Sequence, residues 1–315
     1  MNREIRRILV STDFSNAATA AVLRGARLAH ACSGELELVH VLPTREAPHF
    51  GLAEWTAKAG ELVARARRQL HAMVAETQAK FGIRVDAHLA FGNAPAEIAA
   101  RAHEVGADLI VLGAHGERIV RDMFVRPTAQ RLQRVVGVPL LIARNRSARR
   151  YTRALVAVDF SPASAQAARA AARLFPDAAL HFLHVCNTLF EARLSTAGVT
   201  REGILLYRNQ VLLQASRELD DFVRANDLQH RRSSTLVKHG YPPACIRETA
   251  ADIAASVVVL GARGKSSMQA GLLGSVTEQF VSGEGHDVLL ARPARPRVAT
   301  AVNAKASERI ELSGA

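Results

Sequence analysis

The chain has 315 residues, 49% of them hydrophobic and 22% charged, which suggests about two domains and excludes global disorder. Its net charge of +12 is shared equally by the two halves, which argues against a single basic arm. The three cysteines form no C-x-x-C pair, which excludes a disulfide scaffold and a thiolate zinc site and indicates a reducing compartment.

The sequence predicts no segment that enters a membrane. No stretch approaches the ~18 consecutive apolar residues that a membrane span needs. The first apolar run, Ile8–Val10, is too short for an export signal. We therefore expect a cytoplasmic protein.

Four blocks of sequence recur at a nearly constant interval. The pairs are Ile8–Ser15 with Leu155–Ser161, Val39–Val41 with Leu183–Val185, Gly92–Ile98 with Gly240–Ile246, and Val111–Gly116 with Val259–Gly264. The interval is too long for a solenoid, so it indicates two copies of one domain. We predict a first domain at 1–147, a second at 148–294 and a mobile C-terminal tail at 295–315.

Each copy alternates short β-rich runs with helical segments. In the first copy this order ends with the apolar run Val138–Ala143. In the second copy, strands are predicted at Ala154–Val158, Leu180–Val185, Ser234–Lys238, Val257–Leu260 and Val288–Ala291. Helices are predicted at Ala163–Leu174 after an N-cap at Ser161, along the apolar positions from Ile204 to Phe222, from Pro243 to about Ala255, and at Ser275–Val281.

Strands that alternate with helices are expected to be parallel and joined by right-handed crossovers. The predicted fold class is therefore α/β, with two doubly wound, five-stranded parallel-sheet domains in tandem. Such sheets bind ligands beyond the carboxyl ends of their strands, where the strand order reverses. Asp159 and Gly261 each directly follow an apolar strand and are expected at that edge.

The second copy contains the pattern G-x2-G-x9-G-S, formed by Gly261, Gly264, Gly274 and Ser275. Glycines let backbone N–H groups approach an anion, and the free N–H groups at a helix start favour negative charge. Arg263 and Lys265 add positive charge for phosphate oxygens. The pattern predicts a nucleotide site, and the alternative is that these glycines only form turns.

The residues Ser275-Val276-Thr277-Glu278 match a capping box, which predicts Ser275 as the N-cap of the last helix. The hydroxyl of a serine that caps a helix is less able to bond to a ligand, although the serine N–H remains available. Gly264-Lys265-Ser266 resembles the end of a Walker A loop, but Val259 stands where that signature needs its first glycine.

Each half resembles the universal stress protein domain, and the chain resembles a tandem universal stress protein. The resemblance covers nearly all of 151–293 through V-x-V-D-x-S, the G-x-P…I helix start and G-x2-G-x9-G-S. It implies an adenine nucleotide alpha hydrolase-like fold that binds ATP, with or without Mg²⁺. It implies contacts of Asp159 with the adenosine end, of the Val185 backbone with adenine, of Gly261 and Gly264 with ribose and phosphates, and of Gly274 and Ser275 with phosphates, beside Val276.

The first half departs from this pattern. Gly113 and Gly116 are present, but Arg126-Pro127 stands in place of Gly-Ser. Pro127 has no N–H to donate, so one phosphate donor is lost. We predict one competent site per chain, in the second half. Asp13 and Val41 remain in the first half, which leaves weak binding there open.

The sequence favours an ATP-binding protein that is regulatory or protective in the stress response, with no catalytic residues and no metal site. A slow ATPase and a ligand-free scaffold or chaperone-like protein are the alternatives, and RNA binding is the lesser interpretation of the charge. His40 and His184 are expected to be structural. The partner protein is unknown. By analogy with the family, the halves are expected to pair as a pseudo-dimer through Val138–Ala143 and Val288–Ala291, and a homodimer of the chain is left open.

Overall fold

A computed structural model of the chain describes residues 5–43, 52–114, 128–129, 131–132, 136–144, 149–187, 194, 196–229, 232–262, 274–283, 285–291 and 308–309. Side chains in the helix at 52–81 are described from residue 60 onward. The chain divides into two compact units, Met1–Ala148 with Ala294–Ala315, and Arg149–Pro293.

The first unit alternates strands and helices along its described residues. They are β1 (Arg7–Ser11), α1 (Asn16–Ala31), β2 (Glu35–Leu42), α2 (Leu52–Phe81), β3 (Val85–Phe91), α3 (Ala94–Glu104), β4 (Leu109–Gly113) and β5 (Leu140–Ala143). The strands pair in parallel in the order β3-β2-β1-β4-β5.

The second unit repeats this arrangement. Its elements are β6 (Arg153–Ala157), α4 (Pro162–Leu174), β7 (Ala179–Cys186), α5 (Arg201–Ala225), β8 (Ser233–His239), α6 (Pro242–Asp252), β9 (Val257–Gly261), α7 (Ser275–Ser282) and β10 (Asp287–Ala291). Its strands pair in parallel in the order β8-β7-β6-β9-β10. The predicted α/β fold class, with parallel sheets in tandem, is confirmed.

The first sheet has one strand more than predicted. The short strand β11 (Glu308–Arg309) pairs antiparallel with His88 and Leu89 of β3. β3 would otherwise present unpaired backbone groups at the edge of the sheet. The rest of the predicted tail at 295–315 lies outside the described residues.

The element boundaries follow from burial and capping. The first four residues of β9, Val257–Leu260, are buried, as expected for a parallel strand covered on both faces. At the start of α4, the Ser161 hydroxyl accepts a hydrogen bond from the Ser164 N–H, and Pro162 occupies the first turn. The alanines that follow give α4 a small-residue face that packs closely against the sheet.

Two glycines at the ends of β4 and β9 let a helix start approach the sheet closely. A methyl group at Gly261 would lie 2.8 Å from the backbone nitrogen of Ser164, and one at Gly113 would lie 2.6 Å from the carbonyl group of Ala17. Both contacts are with backbone, which cannot move aside as a flexible side chain could. Gly261, predicted from the sequence only as a ligand contact, thus also has a packing role.

We expect Gly261→Ala to lower the free energy of unfolding by about 1–3 kcal/mol, because the new methyl group overlaps the backbone of α4. Gly113→Ala should act likewise in the first unit. Gly60→Ala is the control, because its methyl group meets nothing within 4 Å and alanine favours a helix. Urea unfolding measures the difference, and a loss no larger than that of Gly60→Ala would contradict the packing role.

Candidate functional site

A cavity of about 760 Å³ lies at the carboxyl ends of β6, β7 and β9. The strand order reverses between β6 and β9, which is where doubly wound sheets hold their ligands. Its walls come from the loop after β6, one face of α5, and the starts of α6 and α7. This unit therefore presents a concave site at the edge that the sequence predicts.

Six of the eight predicted site residues are described, and all six line this cavity. They are Asp159, Val185, Gly261, Gly274, Ser275 and Val276. The other two, Arg263 and Gly264, lie outside the described residues. Arg126 and Pro127, on which the predicted loss of the first site depends, also lie outside them.

Asp159 is held at the cavity wall by the start of α4. Its Oδ1 accepts hydrogen bonds from the Ser161 N–H at 3.1 Å and from the Ser161 hydroxyl at 2.6 Å. The same hydroxyl oxygen accepts the Ser164 N–H at 3.2 Å. The carboxylate is thus linked through Ser161 to the first turn of a buried helix, so its position is fixed by the fold.

Phe160, the next residue, has a left-handed backbone with φ of 60°, which costs energy for a bulky side chain. Its ring packs 4.4 Å from the ring of His184, and His184 Nδ1 bonds to the carbonyl oxygen of Val158 at 2.8 Å. Because a carbonyl oxygen only accepts, Nδ1 carries the proton. His184 therefore closes the turn around Asp159, in agreement with the structural role expected for it.

The first unit has the same turn. Phe14 has a φ of 64°, its ring lies 4.3 Å from that of His40, and His40 Nδ1 bonds to the Thr12 carbonyl oxygen at 2.8 Å. Burial lowers the pKa of His40, while the bond with Thr12 and the charge of Asp13 act in the opposite direction. The His40 ring is therefore neutral at pH 7 and serves as a hydrogen-bond donor.

Val185 directs its backbone N–H and carbonyl groups toward the cavity. Successive residues of an inner parallel strand bond to opposite neighbours. Leu183 accepts from the Val158 N–H on the β6 side, and Cys186 accepts from the Gly240 N–H on the β8 side. Val185 therefore faces the β6 side, where that strand has already ended at Ala157.

Gly274, rather than Ser275, is the N-cap of α7. Gly274 has extended backbone angles (φ −63°, ψ 150°), and its carbonyl oxygen accepts the Glu278 N–H at 2.9 Å. The predicted N-cap at Ser275 is wrong by one residue, because the helical turn already closes on the Gly274 carbonyl. No side chain in the described structure caps α7, so its first N–H groups have no side-chain acceptor.

Thr277 fixes the start of α7 against the sheet. Its hydroxyl donates a 2.8 Å hydrogen bond to the Gly261 carbonyl oxygen, and the Gly274 N–H donates a 3.3 Å bond to the Ala262 carbonyl oxygen. In the first unit Ala129 stands at the corresponding position and has no hydroxyl to donate. Thr277 was not predicted as a site residue, although it lies two residues beyond Ser275.

One face of α5 forms a wall that the sequence analysis did not predict. The apolar periodicity of this segment predicts the helix but does not indicate that polar residues of the same helix line a cavity. Those polar residues are Tyr207, Gln210, Gln214 and Glu218. Their helical spacing is the signal that could have identified them.

The cavity also contains a thiol, that of Cys186. Burial raises the pKa of this thiol, and the negative charge of Glu218 raises it further. The thiol is therefore protonated at neutral pH and is not a nucleophile. Within the described residues, no group of three or more His, Cys, Asp or Glu side chains is placed to hold a metal ion.

The first unit has a cavity of about 860 Å³ at the corresponding place. Asp13 and Val41, the two residues that the sequence analysis retained there, both line it. None of the helices in the described part of the chain combines the length and the apolar character of a bilayer span.

Comparison with protein families gives two matches to one family. The model of the universal stress protein family matches residues 4–144 and again residues 150–292. The two matches agree with the internal repeat seen in the sequence. No curated protein matches the chain.

Solved structures with similar folds include a universal stress protein from Archaeoglobus fulgidus DSM 4304. It is 17% identical, covers 92% of this chain and 99% of its own, and has a TM-score of 0.67. A functionally unknown protein from Pseudomonas aeruginosa PAO1 is 20% identical, covers 92% of this chain and 93% of its own, and has a TM-score of 0.53. At these identities the similarity establishes the fold alone.

One of the matching structures is a complex with a nucleotide. It is the universal stress protein from Archaeoglobus fulgidus in complex with dAMP, 22% identical over 44% of this chain and 97% of its own, with a TM-score of 0.32. At that TM-score the match does not bear on the ligand of this chain.

We expect His184→Phe to lower the free energy of unfolding of the second unit by about 1–2 kcal/mol, because the aromatic ring remains but the Val158 carbonyl loses its donor. His184→Ala should cost about 1 kcal/mol more, because Phe160 then also loses its ring contact. Urea unfolding tests both. The exposed His103, changed to alanine, is the control, and equal effects at the two positions would argue against the structural role.

Proposed function

The chain belongs to the universal stress protein family, and we propose that it binds ATP in its second unit and acts as a regulatory or protective protein of the stress response. The proposal rests on one observation. Every predicted site residue that is described lines the same cavity at the carboxyl edge of the second sheet. These residues come from three strand ends and a helix start, so their convergence depends on the fold.

The start of α7 supplies the chemistry for phosphate. Gly274 caps this helix without a side chain, and the N–H groups of Ser275 and Val276 follow it at the cavity wall. Unpaired N–H groups and the helix dipole favour an anion at this position. Thr277 holds the helix start in place through its bond to Gly261. We assign the phosphate end of the ligand to this helix start.

The groups that Asp159 and Val185 present to the cavity suit a nucleoside. The carboxylate of Asp159, fixed by Ser161, is an acceptor for sugar hydroxyl groups. The backbone N–H and carbonyl of Val185 offer one donor and one acceptor, which matches the edge of an adenine ring. Related adenine nucleotides share these groups, so the same site also fits them.

We propose that the protein is not an efficient enzyme. Phosphoryl transfer needs groups that hold a metal ion and orient a nucleophile. Asp159 and Glu218 are the carboxylates among the described residues of the cavity, and Asp159 is assigned to the nucleoside. Mg²⁺ would then arrive with the nucleotide. The expected cytoplasmic location, the pairing of the halves and the partner protein stay predictions.

A proline at Ser275 provides a sharp test of the helix start. Proline is favoured in the first helical position, and Gly274 already has the extended backbone that precedes proline, so Ser275→Pro should leave α7 intact. It removes one N–H, as Pro127 does in the first unit. ATP affinity should fall about 10- to 100-fold, the range for a hydrogen bond to a charged group. Isothermal titration measures it.

Ser275→Ala is the matched control, because it removes the hydroxyl and keeps the N–H. Its affinity for ATP should stay within a few-fold of the parent. Equal losses for the alanine and the proline variants would show that the hydroxyl, and not the main chain, holds the phosphates. Gly274→Val should abolish binding without unfolding the chain, whereas Gly137→Val, where an added side chain meets open space, should leave it unchanged.

The same titration separates the alternatives. Absence of heat with ATP, in a folded protein, would favour a ligand-free scaffold or chaperone-like protein. ATP consumption well above background, lost in Gly274→Val, would favour a slow ATPase. Saturable binding without turnover is the result expected here. Mass spectrometry of nucleotide that co-purifies with the protein would identify the ligand among adenine nucleotides.

A further inference from the structure

The described lining residues of the first unit's cavity carry a different charge from those of its counterpart. Its described lining residues include Arg65 on α2 and Arg131, with Asp13 as the acidic residue among them. In the second unit, the charged side chains among the described lining residues are Asp159 and Glu218, both acidic. Among the described lining residues, therefore, the two cavities are of similar size and carry charges of opposite sign.

This difference arises at corresponding positions of the two copies. The interval that separates the buried residues Leu70 and Leu219 also separates Arg65 from Gln214. The same interval relates Gln69 to Glu218. Arg131 corresponds to Gln279, because the interval between them equals that between Gly113 and Gly261. At three positions, therefore, the first copy carries the more positive residue.

The two arginines have no counter-ion in the described structure. Neither Arg65 nor Arg131 makes an ion pair or a hydrogen bond within the described residues. Asp13, whose Oδ1 accepts the Ser15 N–H at 3.0 Å, brings one negative charge to a lining that has two guanidinium groups, and His40 is neutral, so the described lining keeps a net positive charge. Guanidinium groups bind carboxylate, phosphate and related anions through paired N–H donors. An anion in this cavity would be attracted by both guanidinium groups.

The remaining wall of this cavity is largely apolar. Phe14, Val41, Leu42 and Pro95 contribute to it. Leu62 on α2 also lines the cavity and is 47% exposed, which leaves a large aliphatic side chain in contact with water. A ligand with an apolar body would cover this surface and gain the free energy of its burial.

We propose that the cavity of the first unit binds a small organic anion, with its charged group against Arg65 and Arg131 and its apolar body over Leu62. This site uses side-chain charge, whereas the site proposed in the second unit uses main-chain donors. It therefore takes a ligand that need not be a nucleotide. The two proposals are independent, because no residue of the second unit takes part in this one.

Two fluorescent probes test the proposal on the full chain. 8-Anilinonaphthalene-1-sulfonate joins an aromatic body to one anionic group, and N-phenyl-1-naphthylamine has the same body without the charge. We expect R65Q/R131Q, which installs the residues of the second copy, to weaken binding of the sulfonate at least tenfold. Binding of the uncharged probe should change less than twofold. Both arginines are exposed, so circular dichroism should show an unchanged fold.

The matched control is R68Q/R201Q. Arg68 and Arg201 are exposed and lie outside the cavity lining. Replacing both with glutamine removes the same total charge as R65Q/R131Q. Their loss should change sulfonate binding less than twofold. Sulfonate binding that R65Q/R131Q leaves unchanged would overturn the proposal. If both double variants weakened sulfonate binding equally, the proposal would be overturned in favour of diffuse attraction by the surface charge. If R65Q/R131Q weakened the binding of both probes equally, it would be overturned in favour of a purely apolar crevice.

Discussion

The cavity of the second unit depends on the close approach of a helix start to a strand end. At Gly261 the backbone of α4 lies so near that a methyl group would be 2.8 Å from the Ser164 nitrogen. This approach places Ser161, the N-cap of α4, where its hydroxyl and N–H both reach Asp159. Thr277 bonds to the carbonyl of the same glycine, so Gly261 also locates α7. One residue without a side chain thus positions the helix that holds Asp159 and the helix whose start lines the cavity.

The inner strands were predictable because they are short apolar runs that are mostly buried, as in β9 and β10, and the helices because their periodicity, and for α4 also the cap, can be identified in the sequence. The end of α6 was not. A helix to about Ala255 was expected, yet it ends at Asp252 because Ala254 takes a left-handed backbone with φ of 46°. Helices that stop in this way usually have glycine at that position. An alanine gives no such signal, so only tertiary structure could show this boundary.

The site residues that could be predicted from the sequence were those that belong to a recognisable motif. Asp159, Gly261, Gly274 and Ser275 follow strands or open a helix, and the resemblance to the family adds Val185 and Val276. The α5 wall could not be predicted in this way, because Gln214 and Glu218 resemble any solvated helix face until the sheet places them. The N-cap of α7 was misplaced by one residue because a four-residue pattern does not specify which carbonyl closes the first turn.

The strand β11 has a consequence for the chain as a polymer. Glu308 and Arg309 pair with β3, so the segment after the second unit returns to the first. The second unit is therefore an insertion, attached to a folded body at both of its ends. When it unfolds alone, its ends remain constrained, and the disordered loop has fewer conformations than a chain with one free end. The return of the terminus thus favours the folded second unit through the entropy of its unfolded state.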